Sequence, residues 1–180
     1  MNNKILKGSI IVLILALAIL SVSIVSADSN STTILTLSKG GIVINYPSDW
    51  GYSEATSPDS IMAISKLSSI DSAGVGQVNI NVEKRPIEGG DFYTFVNNTY
   101  KSMQHDSNFK LISSGAVMLG DIEALQYMYT SNINGTEKEH KAVWFEKGGQ
   151  AYVLLYSAPV NQFESNMYVF DFILSDIRIT

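Results

Sequence analysis

The chain has 180 residues, 46% of them hydrophobic and 16% charged, with no cysteine and a formal net charge of -5 at pH 7. That length suits a single domain with a core large enough to fold without cross-links, and the lack of cysteine excludes a disulfide framework. The acidic balance repels phosphates and anionic lipids, which argues against nucleic acid as a partner.

Residues 1–27 carry Lys4 and Lys7, then the apolar run Ile10–Leu20, then small residues ending Val25-Ser26-Ala27. A basic start, an apolar stretch of about 7–15 residues and small residues at the end are the parts of a secretory signal. The competing reading is a retained N-terminal membrane anchor, although Ser21 and Ser23 interrupt the apolar pattern short of the ~20 residues a spanning helix wants. No cysteine follows, so a lipidated N-terminus is excluded. Either way the remainder is expected to be extracellular or on the outer face of the cytoplasmic membrane, touching the membrane only through residues 1–27 if they are uncleaved. Without Lys4 and Lys7 it holds 10 basic and 17 acidic residues, a charge of -7.

Residues 28–33 are polar and read as a flexible tether before a domain spanning 34–180. Ile34–Leu37 and Ile42–Tyr46 flank paired glycines suited to a hairpin turn. Pro47 lacks an amide hydrogen, so Tyr46–Trp50 is expected to leave the ladder. Ile61–Lys66 and Val78–Lys84 are strand candidates, whereas Ser53–Ser60 and Ser68–Gly76 read as exposed loops. Asp91 is placed to cap a helix whose Phe92, Phe95, Val96, Thr99, Tyr100 and Met103 form one stripe, ending near His105. Strands follow at Phe109–Leu119, Ile122–Ser131, Glu137–Lys147 and Gln150–Ser157. Neither alternate set in Ala151–Tyr156 is polar, so this strand is expected to be central and covered on both faces. After Pro159, Phe163, Met167, Phe170, Leu174 and Ile177 make a second helical stripe. The expected class is α+β, a three-layer α/β/α sandwich with a mostly antiparallel central sheet.

Ile42-Val43-Ile44-Asn45-Tyr46-Pro47-Ser48-Asp49-Trp50, Val78–Val82, Leu119-Gly120-Asp121-Ile122-Glu123-Ala124, Tyr152–Ala158, and Phe163 and Phe170 with Ile173-Leu174-Ser175 together resemble the PsbP family. The ordered set covers nearly all of 34–180. The resemblance implies an antiparallel sheet between helices and a binding role without catalysis. Plant and cyanobacterial members are extrinsic photosystem II subunits, and a eukaryotic relative of the fold binds the GTPase Ran. The likeness here is to short exported forms in archaea and bacteria without a photosystem, so the photosynthetic role and its metal-binding positions are not carried over.

The residues themselves show little chemistry. His105 reads as a helix C-terminal cap. His140, in Glu137-Lys138-Glu139-His140-Lys141, reads as part of a solvated, salt-bridged strand end, its ring on the face opposite the glutamates. Asn132–Glu137 lacks the acidic positions of a calcium loop and is better read as a hairpin. Gly74-Val75-Gly76 lacks the rest of a dinucleotide site and reads as a flexible loop. Asp121 and Glu123 read as solvated residues beside a turn, although a pair of acids on one face leaves a glycosidase-like role open. No catalytic residue, metal ligand or cofactor is expected. Tyr46, Trp50, Tyr52, Trp144, Tyr152 and Tyr156 read mainly as core, with Trp50 the exception, a ring expected to edge a pocket or to brace the loop, beside Tyr46 and Tyr52 as a ligand or partner edge. Asn30, Asn97 and Asn134 stand in N-x-S/T sequons and are candidate glycan sites. The reading is an exported, non-catalytic binding or assembly module whose partner is a protein or small ligand of the cell envelope; the alternative is an exported carboxylate-dependent hydrolase.

Overall fold

A computed structural model describes residues 32–180 apart from 55, 56, 89 and 134. The leader 1–27, most of the tether, Asn30 and Asn134 lie outside the described residues. The first strands, β1 (Ile34–Lys39) and β2 (Ile42–Pro47), pair antiparallel with Lys39 opposite Ile42. Gly40 and Gly41 between them both take positive φ, 60° and 79°, which is the backbone a two-residue hairpin turn requires.

The chain departs from expectation just after this hairpin. Tyr46 and Pro47 stay in β2, opposite Leu35 and Ile34, and only Ser48 and Asp49 form the turn. Trp50 then opens β3 (Trp50–Ser53), whose partner is β4 (Ser60–Lys66), with Trp50 opposite Lys66. Pro47 is tolerated because it ends its strand, where no further ladder bond is asked of its nitrogen. Next come β5 (Asn79–Pro86), α1 (Phe92–Met103), β6 (Phe109–Leu119), β7 (Ile122–Ile133), β8 (Thr136–Lys147), β9 (Gln150–Pro159), α2 (Val160–Asp176) and β10 (Arg178–Ile179). The last is a second element that periodicity missed: two residues after α2 that pair with Val43 and Ile42.

Every strand pairing is antiparallel, in two sheets. One has the order β1-β2-β10, the other β3-β4-β5-β9-β8-β7-β6. Strand β9 is the fourth of the seven and is buried on both faces, as its uniformly apolar sequence requires. Helix α1 starts where Asp91 accepts the Thr94 amide at 2.8 Å, and that bond holds the Asp91 carboxyl below its ordinary range. The helix covers one face of the large sheet. There Phe92, Val96 and Tyr100 pack with Tyr129, Ala142, Trp144, Ala151 and Val153. Trp144 Nε1 donates to Tyr100 Oη at 2.9 Å, and Tyr100 stacks on Tyr127 with ring centroids 3.7 Å apart.

Helix α2 and the three-stranded sheet cover the opposite face. Phe163, Phe170 and Ile173 meet Tyr152, Leu154 and Tyr156 of β9 and Ile42, Ile44 and Tyr46 of β2 in one continuous core. The buried face of α2 is broader than its expected stripe, taking in Asn166 and Val169 because both sheets must be contacted at once. Asn166 satisfies its amide on Gln162 O and accepts from Lys66 Nζ at 2.6 Å. The outer layers of the expected sandwich are therefore α1 alone on one side and a helix with a small sheet on the other.

Phe170 has no exposed surface, so Phe170→Ala is expected to cost about 3–5 kcal/mol in urea-induced unfolding. Asp91→Ala, which removes only a cap, should cost about 1 kcal/mol. Equal losses for the two would contradict this placement of the core.

Candidate functional site

A concavity opens beside the β6–β7 hairpin. Helix α2 lies over β8 and β9, so the outer part of that face, on β6 and β7, extends beyond it. The step between helix and sheet is a cleft of about 320 Å³. Val117, Gln126 and Val143 form its floor from three neighbouring strands, Leu119 and Gly120 close it at the hairpin turn, and Asp171, Leu174 and Ser175 form the α2 wall. Gly120 turns the hairpin at φ 59°, which keeps its end narrow. At the rim Asp171 Oδ1 accepts from Lys141 Nζ at 2.8 Å, while the ammonium also lies 5.7 Å from the Phe170 ring centroid. The single carboxylate of the cleft is thereby neutralised. A floor of two valines and the Gln126 amide, with the Ser175 hydroxyl on the wall, suits a side chain or small ligand that brings an apolar group beside a hydrogen-bonding one, within the size range of small-molecule sites. Nothing in the sequence marks this cleft, because Val117, Gln126, Val143 and Asp171 come from separate elements and become neighbours only through sheet register.

The expected aromatic edge is placed differently. Tyr46 and Trp50 are 4% and 1% exposed and belong to the core between α2 and the two sheets. Trp50 therefore forms no pocket edge: a short strand, not a loop, carries it inward. Its indole Nε1 and the Ser53 hydroxyl are buried without a hydrogen-bond partner among the described residues. Tyr52 is half-buried, donates to Glu54 at 3.3 Å and accepts from Lys39 Nζ at 3.1 Å. Trp144, Tyr152 and Tyr156 are core, as expected. Asn97 is exposed on α1.

His105 does close its helix: Nδ1 lies 2.9 Å from Lys101 O, the position of a donor to an otherwise free helical carbonyl. Asp121 is exposed in the turn, and Glu123 accepts from Tyr93 Oη at 3.0 Å, so these acids do not converge. Among the described residues no three His, Asp or Glu side chains gather as a metal site. The Ser68–Gly76 segment is organised by Asp71, whose carboxylate accepts from the Ala73 and Val75 amides, both at 2.9 Å, and from Gln77 Nε2 at 2.7 Å. Hydrogen bonds to one carboxylate thus hold the loop, where sequence alone suggests no internal order.

His140 corrects the reading of a solvated strand end. Its side chain faces away from Glu137 and Glu139, as the strand period demands, but that face is the buried one and the residue is 5% exposed. Ser131 Oγ lies 2.8 Å from Nε2, Ser157 Oγ 2.8 Å from Nδ1, and the Tyr129 ring stacks at 4.6 Å. Serine and histidine within reach resemble a nucleophile and its base. Here both ring nitrogens are consumed by hydroxyls, and the cleft beside α2 is not lined by these residues. The arrangement is a satisfied polar bridge across β7, β8 and β9.

Burial, with Lys138 nearby, pushes the His140 pKa down to about 4. An unfolded chain takes up a proton near pH 6.5 that the folded chain refuses until about pH 4. The stabilisation is whole above pH 6.5 and falls by on the order of 3 kcal/mol as pH drops towards 4. The stability gap between the natural chain and His140→Gln, measured by urea unfolding, should narrow from pH 7 to pH 4.5; a constant gap would show that the ring charges freely in the fold.

No protein-family model and no curated protein sequence matches the chain. Solved structures do. The solution structure of cyanobacterial PsbP from Synechocystis sp. PCC 6803 superposes with a TM-score of 0.60 at 15% identity, covering 86% of this chain and 98% of that one. LpqN of Mycobacterium tuberculosis, described as involved in cell envelope biogenesis, matches with a TM-score of 0.56 at 17% identity over 84% of this chain and 92% of its own. At such identities the likeness speaks to architecture, and together with the antiparallel sheet between its two helical layers it shows that this chain has the PsbP-like fold.

Proposed function

We propose that the protein is an exported, non-catalytic binding or assembly module that works at or outside the cytoplasmic membrane and holds its partner in the cleft between the β6–β7 hairpin and α2. The observation that carries this reading is the composition of the cleft. It has a floor of two valines and one amide from three strands and a single carboxylate, Asp171, already paired with Lys141. A carboxylate-dependent hydrolase needs two acidic groups flanking a scissile bond, about 5 to 10 Å apart, with one of them held protonated. Asp171 has no such companion in the cleft lining.

Location is supported by the basic, apolar and small-residue succession of residues 1–27 and by a fold shared with LpqN, a protein of cell envelope biogenesis. No helix among the described residues is long and apolar enough to cross a membrane. Attachment, if residues 1–27 are retained, would run through them alone. The partner this cleft fits is a protein or small molecule of the envelope presenting an apolar group beside a hydrogen-bonding one.

A photo-crosslinking residue at Gln126, on the cleft floor, should yield in intact cells a discrete adduct whose mass is not a multiple of the chain's own. The same residue at Asn97, on the opposite helix, should not. Adding Ser175→Arg, which narrows the cleft from an exposed position, should reduce the adduct at least fivefold while leaving the unfolding midpoint unchanged. Equal adducts from positions 126 and 97 would contradict the assignment.

A further inference from the structure

The seven-stranded sheet has two edges, and they are guarded unequally. Strand β3 at one end has only 4 residues, a length that offers little to a neighbouring chain. Strand β6 at the other has 11. From Leu111 to Leu119 it contains no charged residue and no proline, two of the devices by which sheet edges are kept from pairing, and its one irregularity, between Leu111 and Ser113, lies toward one end. Its centre, Ser113–Ala116, is exposed at consecutive positions, so neither helix covers either face there. A Cβ built on Gly115 would meet nothing within 4 Å. Ile112 and Met118 are 50% and 63% exposed.

The segment is also self-complementary when reversed. An antiparallel pairing of β6 with β6 of a second copy, centred on Gly115, sets Ser114 against Ala116 and Ser113 against Val117. It sets the two exposed apolar residues, Ile112 and Met118, against each other. At each end Lys110 of one copy comes to the Gly120-Asp121 turn of the other, and the irregularity between Leu111 and Ser113 moves this register by a single residue at most. Opposite charges thus meet at both ends of an uncharged strand, in a molecule whose overall acidity makes its other surfaces repel a copy of itself.

From this we infer that β6 is a homodimer interface: two copies pair edge to edge about a two-fold axis at Gly115, extending the sheet to fourteen strands. Such an isologous contact closes on itself and removes the long edge from both copies. Val117 borders both the edge and the cleft, so Ser113 of the second copy becomes part of the cleft surroundings. The inference is independent of what the cleft holds.

Because the chain has no cysteine, Gly115→Cys in the full-length protein introduces a unique thiol. Across the axis the two Cα atoms at 115 fall about 4.5–5.5 Å apart, whereas two copies of Ser113→Cys would stand roughly 14 Å apart. Mild oxidation or a short bis-maleimide should convert Gly115→Cys to a covalent dimer at least five times more efficiently than Ser113→Cys. Adding Ser114→Lys and Ala116→Lys, which oppose two ammonium groups across the axis, should abolish the product. Mixing that chain with one carrying Ser114→Glu and Ala116→Glu, both on Gly115→Cys, should restore it as a heterodimer. Equal crosslinking at 113 and 115, no dimer at 115, or no recovery on mixing would each overturn the interface, including in favour of a different partner's strand or association through residues 1–27.

Discussion

Strand β9 has no side that water can wet. Ala151 and Val153 point to α1, while Tyr152, Leu154, Tyr156 and Ala158 point to α2 and the small sheet, and all are less than a tenth exposed. A strand of this kind must be central, must have partners on both edges and must be covered by two separate layers. Strands β5 and β8 supply the edges, with all eight residues of β5 in register against it. The covering layers then have fixed tasks. Helix α1 meets an aromatic floor of Trp144, Tyr127 and Tyr129 through its own Tyr100, and α2 is held down by a hydroxyl from beneath, since Tyr156 Oη donates to Phe163 O at 2.7 Å. Burial is deep enough to push the Tyr156 phenol above its ordinary pKa, so it remains a neutral donor.

The double burial of β9 also explains what periodicity revealed and what it concealed. Both helices were legible because a stripe at three and four residues answers to one surface, and Asp91 marks where the first begins. The four long strands from Phe109 to Pro159 were legible because each carries a short apolar or β-branched run and successive strands are separated by a glycine turn. Trp50-Gly51-Tyr52-Ser53 was not, since four residues containing a glycine carry almost no alternation, and what makes them a strand is β4, ten residues further on. Strand β10 is likewise defined by β2, more than 130 residues away in sequence. The apolar side of α2 therefore turned out to face two sheets where one had been expected.

His140 and the cleft show the same limit at the level of side chains. In sequence, the charged neighbours of His140 make a wet environment, and the period of two correctly separates it from Glu137 and Glu139. Which of the two faces lies inside depends on Ser131 and Ser157 of adjacent strands, which sequence spacing does not place beside it. The cleft is a matter of coverage: α2 spans β8 and β9 but not β6 and β7, and the exposed remainder of one sheet becomes a concavity. The same shortfall leaves β6 open, so the proposed binding surface and the inferred assembly edge lie side by side. A PsbP-like fold suits this use, because a stiff sheet can present an edge and a groove without any moving part.

The central claim is that β9 is the buried axis on which both layers depend, and native-state hydrogen exchange tests it most directly. The amides of Ala151–Ser157 should be the slowest in the molecule and should exchange only through global unfolding, with the same denaturant dependence as the whole domain. Exchange of β9 at a lower free energy than α1 or α2 would mean that the helices persist without the strand, and would contradict the account.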